Sequence, residues 1–570
     1  MDRRRVHSLQ LIAFCSLLAG APAWAAWPPA MPPSTQLTLT VRETAGIART
    51  GEVASSGIPL PRILAITSTA NLAIVDGGNT PVPAEFRVLA RWFADLEDGA
   101  APIQWLLVSF PASVAANGAA SFRLVIDGSV VNPPPAVALE LTQAGNQVTV
   151  DTGAATFVLG GNPHTLFEEV RSAAGTLLAG GGALEATTTS TYVHNTLRSV
   201  EVVWSGPLTA VVQVRGSYSM PAIGGGGLGS VRRYVFRAGA PAALVRHSLA
   251  WEGALCPLGE ITCGNVNGLL IERSRDLLAL QMPSPWAMQV IGDREQAALS
   301  APLSEIHTAA VRQILRSDRF DEPQFEAYLV PPIRSEGDFA DGALMSASTA
   351  SGAVAIALRD MHLYEPQSLM LQGGSLEIHL ADSSTWLGAR QGLFANFAVA
   401  ALTASPSRAT LDREVWAPLN RPLRAWPGAA WWAASQAVEE FPVGPLPAEL
   451  ASYDARVPAI LEKTEDLALD RGLQGLMTHG VWPRYWGDPV LADEIGCGND
   501  PTPANDWDDV YWCTTWADYH NAGATAAIWA FRSGQVEWLD RIAAPAAWRM
   551  LHTVIQQCAP CGVPLLSRQF

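Results

Sequence analysis

The chain has 570 residues, 49% of them apolar and 16% charged, with a formal net charge of −16. That length supports about two to four separate cores, and so acidic a chain is unsuited to nucleic acid or anionic membrane surfaces. A single lysine, Lys463, stands against 36 arginines, so a catalytic base falls to Tyr, His or a carboxylate.

Residues 1–25 have the form of a signal peptide. Arg3-Arg4-Arg5 opens it, Leu9 to Leu18 is apolar, and Ala23-Trp24-Ala25 is a small-x-small cleavage site. The apolar run is too short to span a bilayer, so the expected product is secreted or periplasmic, with no membrane insertion. Cleavage after Ala25 leaves 34 basic against 52 acidic residues, a net charge of −18. That field repels a polyanion at long range, so a uronate site needs its own arginine or metal.

Residues 26–35 are Pro-rich and read as a linker. From 36 to 132, short β-rich runs (Asn71–Val75, Glu85–Leu89, Gln104–Phe110) alternate with Pro, Gly and Asp turns, the spacing of a small barrel or sandwich. Val131-Asn132-Pro133-Pro134-Pro135 makes a stiff boundary. From 136 to 415 the pattern is nearly all β: Gln147–Asp151, Ser199–Trp204, Thr209–Arg215, Arg232–Arg237 and Leu244–Ala250 alternate or run apolar, with turns such as Trp204-Ser205-Gly206-Pro207 between them. Such runs of strands predict a large antiparallel two-sheet sandwich. Gly224–Gly227 lacks the lysine and the strand-loop-helix setting of a phosphate loop and reads as a hairpin tip.

The texture then changes. Residues 416–548 hold 12 of the 20 tryptophans, and helical periods appear. A helix is expected over Ala455–Asp470, started or broken near Pro458. Cys513–Arg532 and Val536–Gln557 are expected as a helix pair turning at Ser533-Gly534-Gln535. The expected fold is therefore multidomain and mainly β, with a helical part over 445–570.

Ile58-Pro59-Leu60-Pro61, Asp76-Gly77-Gly78, Val82-Pro83-Ala84-Glu85, Arg91-Trp92 and Gln104-Trp105-Leu106-Leu107 follow one another in an order that resembles the N-terminal RIFT barrel of the exo-rhamnogalacturonan lyase-like family. Val150–Gly153 (VDTG) and Ser230–Pro241 (SVRRYVFRAGAP) resemble its central β-sandwich. The resemblance implies a RIFT-type β-barrel, a large β-sandwich and an α/α toroid, with an acidic polysaccharide as substrate and β-elimination as reaction. Only three or four toroid helices fit before Phe570, so the toroid is expected to be partial, in a fragment or in a shortened member.

The densest chemistry lies between His479 and His520. Elimination at a uronate asks for neutralisation of the carboxylate, a base for the C5 proton and an acid for the leaving oxygen. Arg484 suits the first role, His520 or His479 the second, and Tyr519 or Tyr485 the third. Trp482, Trp486, Trp512, Trp516 and Asn521 suit substrate binding, by stacking on sugar faces and bonding to hydroxyls. Aromatic helices packed on one another would hold the same residues without any site.

Asp506, Asp508 and Asp509 sit in an acidic loop whose oxygen ligands suit calcium, although no EF-hand series is present and a solvated loop is the plainer reading. Paired carboxylates of a glycoside hydrolase fit the same loop. Two alternatives to the lyase therefore stand: a glycoside hydrolase on the same architecture, and a non-catalytic carbohydrate-binding or cell-surface protein.

Cys256, Cys263, Cys497, Cys513, Cys558 and Cys561 remain after signal removal, an even set that suggests disulfides in an oxidising compartment. Proximity favours pairing in that order, and Cys558-Ala559-Pro560-Cys561 reads as a staple rather than a redox or zinc pair. His164, His194, His247, His307, His362 and His379, scattered along β segments, are expected as surface or bonded core residues. The sequence leaves the oligomeric state open.

Overall fold

The computed structural model describes residues 36–543, except 189–190, 219–227, 252–268, 302–307, 316–322, 330–332, 338–339, 362–366, 388–391, 404, 438–447, 449–450 and 471–521. It is mainly β. Two small antiparallel sheets enclose the first core, one with Gln36–Arg42, Ala119–Val125 and Ala73–Asp76, the other with Arg49–Pro59, Ile103–Val114 and Glu85–Arg91. Gln36–Arg42 (QLTLTVR) shows why: Leu37, Leu39 and Val41 point inward and the residues between them outward, the period of a half-buried strand.

A late piece of chain completes this module. Ala425–Pro427 adds an edge strand to Gln36–Arg42, and Trp431 enters the same core with its indole N–H donating to the Pro59 carbonyl at 2.7 Å. The distance along the sequence hid this closure.

A five-stranded meander covers 140–179, and a sixteen-stranded antiparallel sheet covers 184–402. The large sheet doubles back on itself. Phe325, Leu369 and Ile378 near one end share a core with Val245, Val354 and Phe397 nearer the other. Thr191–Ser205 turns the corner: its first residues pair with Leu184–Thr188 and the rest with Thr209–Tyr218, with register shifts at Leu197/Ser199 and Val202/Trp204. Such irregularities bend a strand and increase its twist.

Gly352–Leu358 (GAVAIAL) is buried on both faces. Val354, Ile356 and Leu358 fill the main core, while Ala353, Ala355 and Ala357 leave room outside for Leu411, Val415 and Trp416. Those last three come from a helical stretch over 408–420. Ser407 caps it by accepting from the Thr410 N–H at 3.2 Å, and its middle turn, Asp412–Trp416, is a π turn. Pro418 has no N–H to give the carbonyl four residues back, which suits a widened turn there.

Glu85 joins the small module to the sandwich. Its carboxylate is buried and accepts from the Leu208 and Thr209 N–H groups at 3.0 and 3.1 Å, and also from the Thr209 hydroxyl and the Trp204 indole. Gly206 is required beside it, because a Cβ there would collide with that carboxylate. Glu85→Ala leaves several buried donors without an acceptor, at about 1–3 kcal/mol for each such group. The expected result is a lower unfolding midpoint, with faster proteolysis between the two modules; unchanged values for both would remove Glu85 from this role.

Helices Ala429–Ser435, Ala451–Asp470 and Ala522–Ser533 follow. The second begins four residues before its expected start and runs through Pro458 without breaking. Gly534 turns the chain after the third with φ of 74°, as its place in the expected helix pair requires. Phe531 of that helix packs on Trp426 and Trp432 at 5.6 and 4.4 Å between ring centres. Asp540 beyond it receives Arg359 at 2.8 Å and Arg424 at 2.9 Å. Burial would raise its carboxyl, but the two guanidiniums bring it down to about 2.

Candidate functional site

Two polar groups occupy opposite faces of the large sheet and share one strand, Arg273–Ala279. The inner one lies between the sandwich layers. Ser230 and Arg232 project from Leu228–Arg237, His247 from Ala242–Trp251 and Asp276 from Arg273–Ala279, each on the inward side of an alternating strand and each almost fully buried. His247 Nδ1 stands 2.7 Å from Asp276 Oδ2, and His247 Nε2 stands 3.0 Å from Ser230 Oγ. Arg232 lies 3.8 Å from Asp276, reaches His164 at 3.1 Å and donates to the Tyr218 hydroxyl at 3.5 Å.

The charge states follow from burial and neighbours. Burial opposes charge on Asp276, but His247 and Arg232 hold its carboxyl below the usual range. Burial and then Arg232 keep His247 neutral, despite the pull of Asp276. The same two causes push His164 down to about 3. His247 therefore donates from Nδ1 to an ionised Asp276 and accepts at Nε2 from the Ser230 hydroxyl. That is the order of an acyl-transfer triad. Ser230, however, is only 1% exposed. Closed to substrate, the group locks one sandwich layer to the other.

The outer face carries the candidate site. Cross-strand register sets His194, Glu185, Arg275, His379, Ser368, Arg312, Glu326 and Glu336 opposite one another in a single row across eight strands. Arg275 bonds Glu185 at 2.8 Å and Glu377 at 3.2 Å. His379, fully buried at the middle, has Glu377 Oε2 at 3.0 Å from Nε2 and Asp382 Oδ1 at 3.5 Å from Nδ1. Arg312 grips the other oxygen of Asp382 at 2.6 Å. Both Asp382 Oδ1 and His379 Nδ1 are buried without a hydrogen-bond partner. The site is thus an imidazole between two arginine-clamped carboxylates, one of them with an oxygen that makes no hydrogen bond and has Arg273 Nε at 3.4 Å.

His479, Arg484, Tyr485, Tyr519 and His520 lie outside the described residues, as do Trp482, Trp486, Trp512, Trp516, Asn521, Asp506, Asp508 and Asp509. So do all six cysteines, and with them the disulfides, and also His307 and His362. Among the remaining histidines, His194 is exposed, His164 half-buried and bonded, and His247 and His379 are bonded core residues, as expected. What the sequence reading missed is that these histidines sit in clusters. The available signal was polarity on both faces of one strand, in Arg273-Ser274-Arg275-Asp276. Among the described residues no group of His, Cys, Asp and Glu has the arrangement of a metal site.

No family model matches this chain, and no curated protein does. Among solved structures, an alpha-mannosidase from Enterococcus faecalis V583 is similar at 10% identity, with 70% of this chain and 47% of that one covered and a TM-score of 0.43. A GH36 alpha-galactosidase from Geobacillus stearothermophilus gives 9%, 48%, 41% and 0.27 in the same order. A galactose mutarotase related enzyme from Lactobacillus acidophilus gives 10%, 47%, 99% and 0.24. All three are named for sugars. The chain spans about half the length of the mannosidase, and likeness this slight transfers neither fold nor activity.

Proposed function

We propose that this protein is an exported carbohydrate-active enzyme that hydrolyses glycosidic bonds, with Asp382 (8% exposed) and Glu377 (3% exposed) as its carboxylate pair, reached when the part-exposed Arg273 and Arg312 side chains on Asp382 move aside. The observation that carries the reading is His379 standing between those two carboxylates, with Asp382 Oδ1 near Arg273 Nε at 3.4 Å and His379 Nδ1 at 3.5 Å but hydrogen-bonded to neither. Glycoside hydrolysis uses two carboxyl groups flanking the scissile bond, one giving a proton to the leaving oxygen and the other acting on water or on the anomeric carbon. Arg275 and Arg312 hold the two side chains in place. The acidic chain favours a neutral polymer over a polyuronate.

A second reading is β-elimination on an acidic, rhamnogalacturonan-like polymer. Arg273 and Arg312 favour it, since both contact Asp382 and keep about a third of their side chains exposed, where a uronate carboxylate could meet them. In that reading Arg484, His520 or His479, and Tyr519 or Tyr485 keep the roles their sequence positions suggest. Incubation with neutral and acidic polysaccharides separates the two. Hydrolysis releases saturated reducing ends; elimination also raises ultraviolet absorbance from the new C4–C5 double bond. Reducing ends without absorbance are expected, and absorbance rising in step with them would replace the first reading by the second.

A further inference from the structure

The small module spends conformational strain on one exposed ring. Phe93 has φ of 54° and is 75% exposed. A bulky residue in the left-handed region is unfavourable, and such strain persists only where the surroundings enforce it. Here they do. Arg91 ties the loop down through Leu96 O at 2.8 Å, Thr67 O at 3.1 Å and Ala101 O at 2.6 Å. On the other side, the Trp92 indole donates to Leu60 O at 3.0 Å and buries that neighbour. The loop is therefore fastened at both flanks of Phe93, and the fastening directs an aromatic ring mostly into water, with its one ring contact to Trp92 at 5.7 Å between centres.

Polar and apolar groups frame the ring. The Arg62 guanidinium carbon lies 5.2 Å from its centre. Ile63 is 83% exposed and Leu96 45%, while Asp95, Glu97 and Asp98 on the same loop are exposed carboxylates. One rigid apolar face edged by hydrogen-bonding groups of both signs suits a sugar ring, whose axial C–H face is apolar and whose rim is hydroxylated. We infer that Phe93 is a stacking platform for the polysaccharide chain, with Arg62 and the loop carboxylates binding its hydroxyls. This rests on the carbohydrate reading above and adds to it a binding subsite on the small module.

The test uses the full chain and calorimetric binding to soluble galactomannan, β-glucan and pectin. Phe93→Asn removes the ring while keeping a residue that tolerates the left-handed region. It is expected to weaken polymer binding about tenfold and to unfold at an equal or higher temperature. Phe93→Trp is expected to retain binding. Binding by Phe93→Asn equal to that of the wild type would overturn the platform, and so would a lower unfolding temperature, which would make the ring structural. A wild type that hydrolyses these polymers but binds none of them also overturns it. Absence of both binding and hydrolysis takes the carbohydrate reading down as well.

Discussion

Asp276→Asn is expected to destabilise the sandwich by about 3–5 kcal/mol, because it leaves the Arg232 guanidinium charged and uncompensated among buried groups. The amide keeps the size of the carboxyl and can still accept from His247, so lost charge rather than lost volume is the cause. Arg232→Met combined with Asp276→Leu removes both charges and should recover much of that loss. A single variant as stable as wild type would show that the pair is not held ionised.

The same cluster sets a pH dependence. Folding holds His164 and His247 below their ordinary value of 6.5, so below that pH the unfolded chain takes up protons that the folded chain refuses. Stability is therefore full above about 6.5 and declines toward acid, by up to about 1.4 kcal/mol per pH unit for each group. Asp276 and Asp540 are held below 3.8 and add their own losses only as the pH falls past that value. Urea unfolding at pH 7.5 and pH 5 checks this, and His164→Gln should flatten the difference.

The second large effect falls on turnover. Asp382→Asn is expected to lower kcat by about 100-fold or more, the scale of a general acid–base group, with KM little changed. Arg312 still has a carbonyl oxygen to bond there, so the sandwich should unfold near the wild-type temperature. Arg312→Lys gives up the planar fork that fixes Asp382 and should cost kcat less. Wild-type turnover in Asp382→Asn would move the chemistry elsewhere.

Most strands were legible because their information is local. Gln147–Asp151 alternates and forms the strand expected of it, and the turn at 205–208 falls where Ser205-Gly206-Pro207 placed it. Gly534 likewise marks its turn by itself. The charged row was not legible, since its members come from eight strands and only register brings Glu185, Arg275 and His379 together. Closure of the small module by Ala425–Pro427 was hidden for the same reason. The lock at Glu85 depends on a turn more than a hundred residues away. The sequence did show Val82-Pro83-Ala84-Glu85 and Trp204-Ser205-Gly206-Pro207 as motifs, but a sequence does not show that two motifs touch. The helix through Pro458 shows the reverse case, in which the chain stays helical past a residue that local propensity would make a break.

The measurement that tests the account most directly is reducing-end release from a neutral polysaccharide by wild type, Asp382→Asn and His520→Ala in parallel. A catalytic face on the sandwich predicts release by the wild type and by His520→Ala, with almost none from Asp382→Asn. Loss in His520→Ala with full release by Asp382→Asn would contradict it, and would return the chemistry to the tryptophan-rich segment that first drew attention in the sequence.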